Sequence, residues 1–180
     1  MLTAGDKELY QVAHRALVRI GVKPGLRILD FGARIGNYSL PAADLVTETG
    51  KVYALDKDRD ALDELMTNSN HRPQLVRIDT DGGPHISLPE NSTDMILVFD
   101  VELNEPAPYL KEFQRVLTSN GILVVYLPIE NYRNTARRNA FIATIRSTGF
   151  RLVRRVQQAM VHWDWVEEAT VYLFIQKTKA

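Results

Sequence analysis

Apolar positions along the chain switch repeatedly between a helical and a strand period. Over residues 6–20, Leu9, Val12, Ala13, Ala16, Leu17 and Ile20 fall at helical spacing, with Asp6 as a predicted N-cap and Gly21 as the stop. After Lys23-Pro24-Gly25 comes RILDF, a short β-like run. Residues 38–49 read as a helix that tolerates Pro41 in its first turn and ends at Gly50. KVYALD predicts a second strand. Asp58 is the expected cap of a helix whose Ala61, Leu62, Leu65 and Met66 form one face. QLVRID and DMILVFD predict strands three and four. A helix from Glu105 to Leu117 follows, with Asn120-Gly121 expected to close it in a left-handed turn. GILVVYLP is apolar throughout, as a strand covered on both faces requires. A helix over about 132–147 precedes FRLVRRVQQ and TVYLFIQK, two strands with no helical pattern between them. The alternation predicts a single α/β domain over residues 1–180. It has an N-terminal helix (1–22), a core (25–177) with a mainly parallel sheet between helices, and a final antiparallel pair.

In such a sheet, ligands sit beyond the C-terminal ends of the strands. The exit of the first strand reads Asp30-Phe31-Gly32-Ala33-Arg34-Ile35-Gly36. Glycines let backbone approach a ligand, and a helix N-terminus just beyond them favours negative charge. Asp56 ends the second strand, where a carboxylate suits the two hydroxyls of a ribose. Together these features point to nucleoside binding in the core. The dinucleotide pattern G-x-G-x-x-G fits poorly, because Arg34 and Asn37 stand where it needs glycines.

The ordered set resembles the class I S-adenosylmethionine-dependent methyltransferases, the type 11-like group among them. Asp30, Gly32 and Gly36 are similar to the family's D-x-G-x-G-x-G turn. VRIDTD, SLPENSTDMILVFD and LKEFQRVLTSNGILVVY are similar to its third-strand acid, its Leu-Pro pair with strand four, and its helix with strand five. The resemblance implies a Rossmann-like, doubly wound sheet of seven strands, helices on both faces, with an antiparallel last strand. It implies S-adenosylmethionine as cofactor. Asp30 and the backbone of Gly32, Ala33, Arg34 and Gly36 would hold its methionine end, and Asp56 its ribose. Lys57 would flank the adenine, with Asp79 and Thr80 at the adenine amino group. Asp100, Val101 and Glu102 would border the methyl group and the acceptor, Asp100 and Glu102 being the candidate bases, with His85 and Tyr126 next.

Arg34 is the departure that bears on function. It is compatible with a backbone kept at negative φ and a side chain leaving the pocket, with a guanidinium paired to the cofactor's carboxylate, or with a blocked site. The leading expectation is methyl transfer to an unidentified oxygen, nitrogen or carbon acceptor. The alternative is a non-catalytic binding or regulatory subunit of the same fold. A nicotinamide oxidoreductase lacks both its glycine pattern and room for a substrate domain.

Composition narrows this further. The absence of cysteine excludes thiolate metal sites and covalent C5-pyrimidine chemistry. MLTAGDKELY does not read as a signal peptide, and no apolar run approaches the roughly 18 residues of a membrane span, so a cytoplasmic protein is expected. DVEL after strand four does not resemble the Asn/Asp-Pro-Pro-aromatic loop of amino-methylating nucleic-acid enzymes. No insertion is long enough for a lid domain. An open acceptor side suits a macromolecule, or a small molecule enclosed by a second copy of the chain. Residues 1–130 hold 13 Lys and Arg against 19 Asp and Glu, whereas residues 131–180 hold 9 against 3. Arg133, Arg137 and Arg138, with Tyr132, could therefore face an anionic partner such as RNA, although a solvated helix and an arginine-rich edge strand explain the same charge. Trp163 and Trp165 alternate as in a strand or its turn, and at least one is expected to pack in a core or interface.

Overall fold

The computed structural model describes residues 4–70, 72–127 and 133–177. Its elements are α1 (Ala4–Ile20), β1 (Arg27–Phe31), α2 (Ser39–Val46), β2 (Lys51–Asp56), α3 (Arg59–Thr67), β3 (Leu75–Asp79), β4 (Thr93–Phe99), α4 (Pro106–Val116), β5 (Leu117–Tyr126), α5 (Thr135–Ser147), β6 (Phe150–His162) and β7 (Trp165–Gln176). Tyr132 lies outside the described residues. The seven strands form one sheet in the order β3-β2-β1-β4-β5-β7-β6. The first five pair in parallel, and β7 runs antiparallel to both β5 and β6. Among the described residues, no helix is long and apolar enough to cross a membrane.

Side-chain alternation explains the two cores. Ile28 packs with Val12, Leu17, Val46 and Leu62 on the face covered by α1, α2 and α3. Leu29 and Phe31 point the other way, toward Leu110 and Phe113 of α4 and Ile145 of α5. The Asp58 carboxylate accepts from Ala61 N at 3.1 Å and caps α3 as expected.

Three local expectations change. α1 begins at Ala4, so Asp6 lies in its first turn and does not cap it. Gly121 has no positive φ. α4 ends when Leu117 turns extended (φ −71°, ψ 137°) straight into β5. Residues 118–121 are then taken up where the register jumps from Thr93–Leu117 to Met95–Ile122. The last two strands are longer than their apolar runs, because their cleft-side ends pair from His162–Trp165 onward as a hairpin reaching past the sheet.

The strand order reverses between β1, which leads out to β2, and β4, which leads to β5. Phe31, Asp56, Asp79, Phe99 and Tyr126 all end strands along that one edge. A ligand crevice is expected there.

Candidate functional site

The turn after β1 hangs from the end of β2. Gly32 N and Ala33 N both donate to Leu55 O, at 2.8 and 3.0 Å. Arg34 N donates to Asp56 Oδ2 at 2.8 Å, and Asp58 N donates to Asp56 Oδ1 at 2.9 Å. Gly32 (φ +85°) and Gly36 (φ +91°) need their freedom: a Cβ on Gly32 would stand 2.4 Å from Val101 Cγ2, and one on Gly36 would stand 2.2 Å from Leu65 Cδ1. Arg34 does not keep negative φ. It adopts +47°, the left-handed conformation a glycine would take, so the turn keeps its shape at a cost in strain.

The Arg34 side chain leaves the turn and stacks on Trp163, its Cζ 3.7 Å from the ring centroid. Trp163 is the first residue of the β6–β7 turn and is also left-handed (φ +56°). Two further ties hold that hairpin over the glycine turn. Asn37 Nδ2 donates to Trp163 O at 2.6 Å. Tyr38 Oη donates to Val161 O at 2.9 Å and accepts from Val161 N at 2.8 Å.

Below this bridge lies a cleft of about 940 Å³, within the range of small-molecule and cofactor sites. Gly32, Arg34, Asp56, Lys57, Thr80, Asp100 and Glu102 line it. A second cavity of about 280 Å³ shares Gly32, Arg34, Asp100 and Trp163 and also touches Ala33, Tyr38 and Phe99. Asp56 is buried at 7% exposure yet lines the cleft. Thr80 Oγ1 accepts from Gly82 N at 3.2 Å, and Gly82 O accepts from Tyr109 Oη at 2.7 Å, fixing the wall beyond β3.

Other predicted residues are placed elsewhere. Asp30 is 3% exposed and sits beneath the turn, where Ser39 Oγ donates to it at 2.6 Å. Burial, with Asp56's charge adding and Ser39's bond opposing, pushes its carboxyl up to about 6. Gly36 lines neither cavity. Asp79 turns toward Arg77 at 2.8 Å and Arg59 at 3.8 Å, and the Arg77 hydrogen bonds hold it below the usual carboxylate range. His85 stands exposed beside Glu112 at 3.3 Å and does not line the cleft. Tyr126 is buried and donates to Glu167; burial first, then that contact, raises its pKa.

At the acceptor end, Asp100 carries an unusual positive φ of +57°. His162 Nδ1 approaches its Oδ2 to 2.7 Å, with both side chains largely buried. Glu102 and Arg137, expected to serve different partners, pair with each other at 2.8 Å. Arg133 is exposed and Arg138 half-buried. Trp163 and Trp165, at 55% and 45% exposure, pack in neither hydrophobic core among the described residues. His162 and Trp163 were not singled out as site residues from sequence; the only signal was the His-Trp-Asp-Trp run closing a hairpin.

Residues 29–125, more than half of the chain, match the family described as methyltransferase domain. The chain belongs to the class I S-adenosylmethionine-dependent methyltransferase family. Its fold is that of solved family members at low identity. An S-adenosylmethionine-dependent methyltransferase from Aquifex aeolicus is 22% identical, with 94% of this chain and 98% of that one covered at a TM-score of 0.75. A methyltransferase from Methanococcus maripaludis described in the same terms is 16% identical over 98% and 89%, at 0.71. M. jannaschii TYW2, solved in complex with AdoMet, is 15% identical over 98% and 78%, at 0.66. No curated protein matches the chain. Within this methyltransferase domain, the glycine turn and the tip of β2 occupy the strand edge where the sheet order reverses.

Proposed function

We propose that the chain binds S-adenosylmethionine in the larger cleft and transfers its methyl group to an oxygen, nitrogen or carbon acceptor admitted beside Asp100 and Glu102. The carrying observation is the junction of Asp56 with the glycine turn. Each Asp56 oxygen accepts one backbone N–H and keeps a lone pair for a ribose hydroxyl. The donor set and the cleft volume therefore fit a nucleoside with an amino-acid tail. In this reading Asp56 holds the ribose, and the Lys57 stem and the Thr80 backbone border the adenine. The Gly32–Gly36 turn takes the tail, supported from below by Asp30.

Bound there, the cofactor supplies a methyl group already made electrophilic by its sulfonium. The chain's own work is to align the acceptor and exclude water. Asp100, whose N–H donates to Tyr126 O and whose Oδ2 lies 2.7 Å from His162 Nδ1, stands where an acceptor proton would be taken up, with Glu102 at the rim. The guanidinium of Arg34 stacks on Trp163 and does not fill the turn, which supports an open site over a blocked one.

Calorimetric titration with S-adenosylmethionine, S-adenosylhomocysteine and NAD tests this reading. The first two should bind and NAD should not, and Asp56→Ala should cost at least roughly tenfold in affinity, the scale of a lost charge-assisted hydrogen bond. Unchanged affinity in Asp56→Ala would remove the basis for this site.

A further inference from the structure

The Arg34 guanidinium stacks on the Trp163 indole, and both residues line each of the two cavities. This stack is not needed to hold the hairpin down. Asn37 bonds the Trp163 carbonyl, and Tyr38 bonds both polar groups of Val161, so the tip is pinned without it. Yet Arg34 and Trp163 both hold left-handed backbones. Strain of that kind persists where surrounding structure enforces it, and it clusters at ligand sites.

The charge pattern says what the guanidinium faces. Around the larger cleft, carboxylates dominate: Asp56, Asp58, Asp100, Glu102 and Glu105. Two cations stand among them. Lys57 lies at the far end, where its Cδ would be 3.2 Å from a Cβ on Gly82. Arg34 is therefore the cation beside Gly32 and Asp100. Its own N–H binds Asp56, so a single residue spans from the carboxylate at the tip of β2 to the hairpin. A guanidinium covered on one face by an indole keeps its N–H edge available, and that planar fork matches a carboxylate.

We infer that Arg34, seated on Trp163, receives the carboxylate of the cofactor's amino-acid end, making the hairpin tip part of the cofactor site. This rests on the S-adenosylmethionine reading above. The arginine in the glycine turn is then a ligand-binding residue, positioned by a tryptophan from the other end of the chain.

The test is a cycle between protein and ligand, using S-adenosylmethionine and decarboxylated S-adenosylmethionine, which differ only in the carboxylate. Both are titrated by calorimetry into the wild type, Arg34→Gly, Arg34→Lys and Trp163→Ala. The wild type should prefer the carboxylated ligand by roughly tenfold to a hundredfold, the scale of charge-assisted hydrogen bonds. Arg34→Gly, which suits the left-handed backbone and should fold, is expected to erase that preference by weakening only the carboxylated ligand. Arg34→Lys should keep part of the preference, and Trp163→Ala should reduce it. If both ligands weaken equally in Arg34→Gly, or the preference survives it, the inference falls while the cofactor reading stands. If neither ligand binds the wild type, both fall.

Discussion

Replacing Asp30 with asparagine measures what the chain gives up to keep a carboxylate under the glycine turn. Asp30 is 3% exposed and holds one side-chain hydrogen bond, from Ser39 at 2.6 Å. Its carboxyl rises from 3.8 to about 6, with burial the main cause and the Asp56 charge adding. The sign follows from proton counting. At pH below about 4, folded and unfolded chains both carry the proton and Asp30 costs little. Between about 4 and 6, the unfolded chain releases its proton first, so the folded state loses stability as pH rises. Above about 6 the loss is complete, at roughly 3 kcal/mol. Asparagine removes the charge and retains an oxygen for Ser39. Asp30→Asn should therefore match the wild type near pH 4 and exceed it at pH 7–8 by up to roughly 3 kcal/mol, less the cost of a partner for its amide. Urea unfolding followed by tryptophan fluorescence across this pH range gives the difference directly. A gap between the two proteins that does not widen from pH 4 to 7 would refute the reasoning. A stabilising gap at neutral pH would mark Asp30 as a residue kept at the expense of stability, as functional positions often are.

Two further substitutions probe the turn and its tie to the hairpin. Gly36→Ala forces a left-handed alanine 2.2 Å from the fully buried Leu65 and should cost roughly 2–4 kcal/mol, lowering Tm by about 5–15 °C; an unchanged thermal melt would contradict the packing. Tyr38→Phe leaves the buried N–H and C=O of Val161 without their side-chain partner and should cost roughly 2–3 kcal/mol, with faster amide exchange at Val161 as the local signature. Protection of that amide equal to the wild type would show that Tyr38 does not hold the hairpin.

Much of this architecture was legible because its determinants are local. Asp56 lies one turn and one helix from Gly36, and the alternation of strands with helices dictates parallel pairing, so the nucleoside-type edge followed from spacing alone. Period two also accounts for Asp30: it shares a face with Ile28, toward α2 and Ser39, and so sits under the turn instead of in the cleft wall. Part of what could not be read was set by a partner distant in sequence, and part by local contacts that composition does not reveal. The direction of Arg34 depends on Trp163, and nothing in the glycine turn announces a tryptophan from the last hairpin. Asp79 was expected at the adenine, but Arg77, on the same strand face two residues earlier, draws its carboxylate aside. The Asn120-Gly121 pair has the composition of a helix stop, yet sheet pairing at Leu117 takes the chain over first.

The bridge between Asn37 and Trp163 spans 126 residues of chain. During synthesis, at roughly 5–20 residues per second, the glycine turn therefore waits about 6–25 seconds for the hairpin that covers it. Until then β5 lacks its neighbour β7, and one edge of the central sheet stands open to other chains. The smaller cavity, lined in part by Val161 and Trp163, can form only once the β6–β7 hairpin has docked.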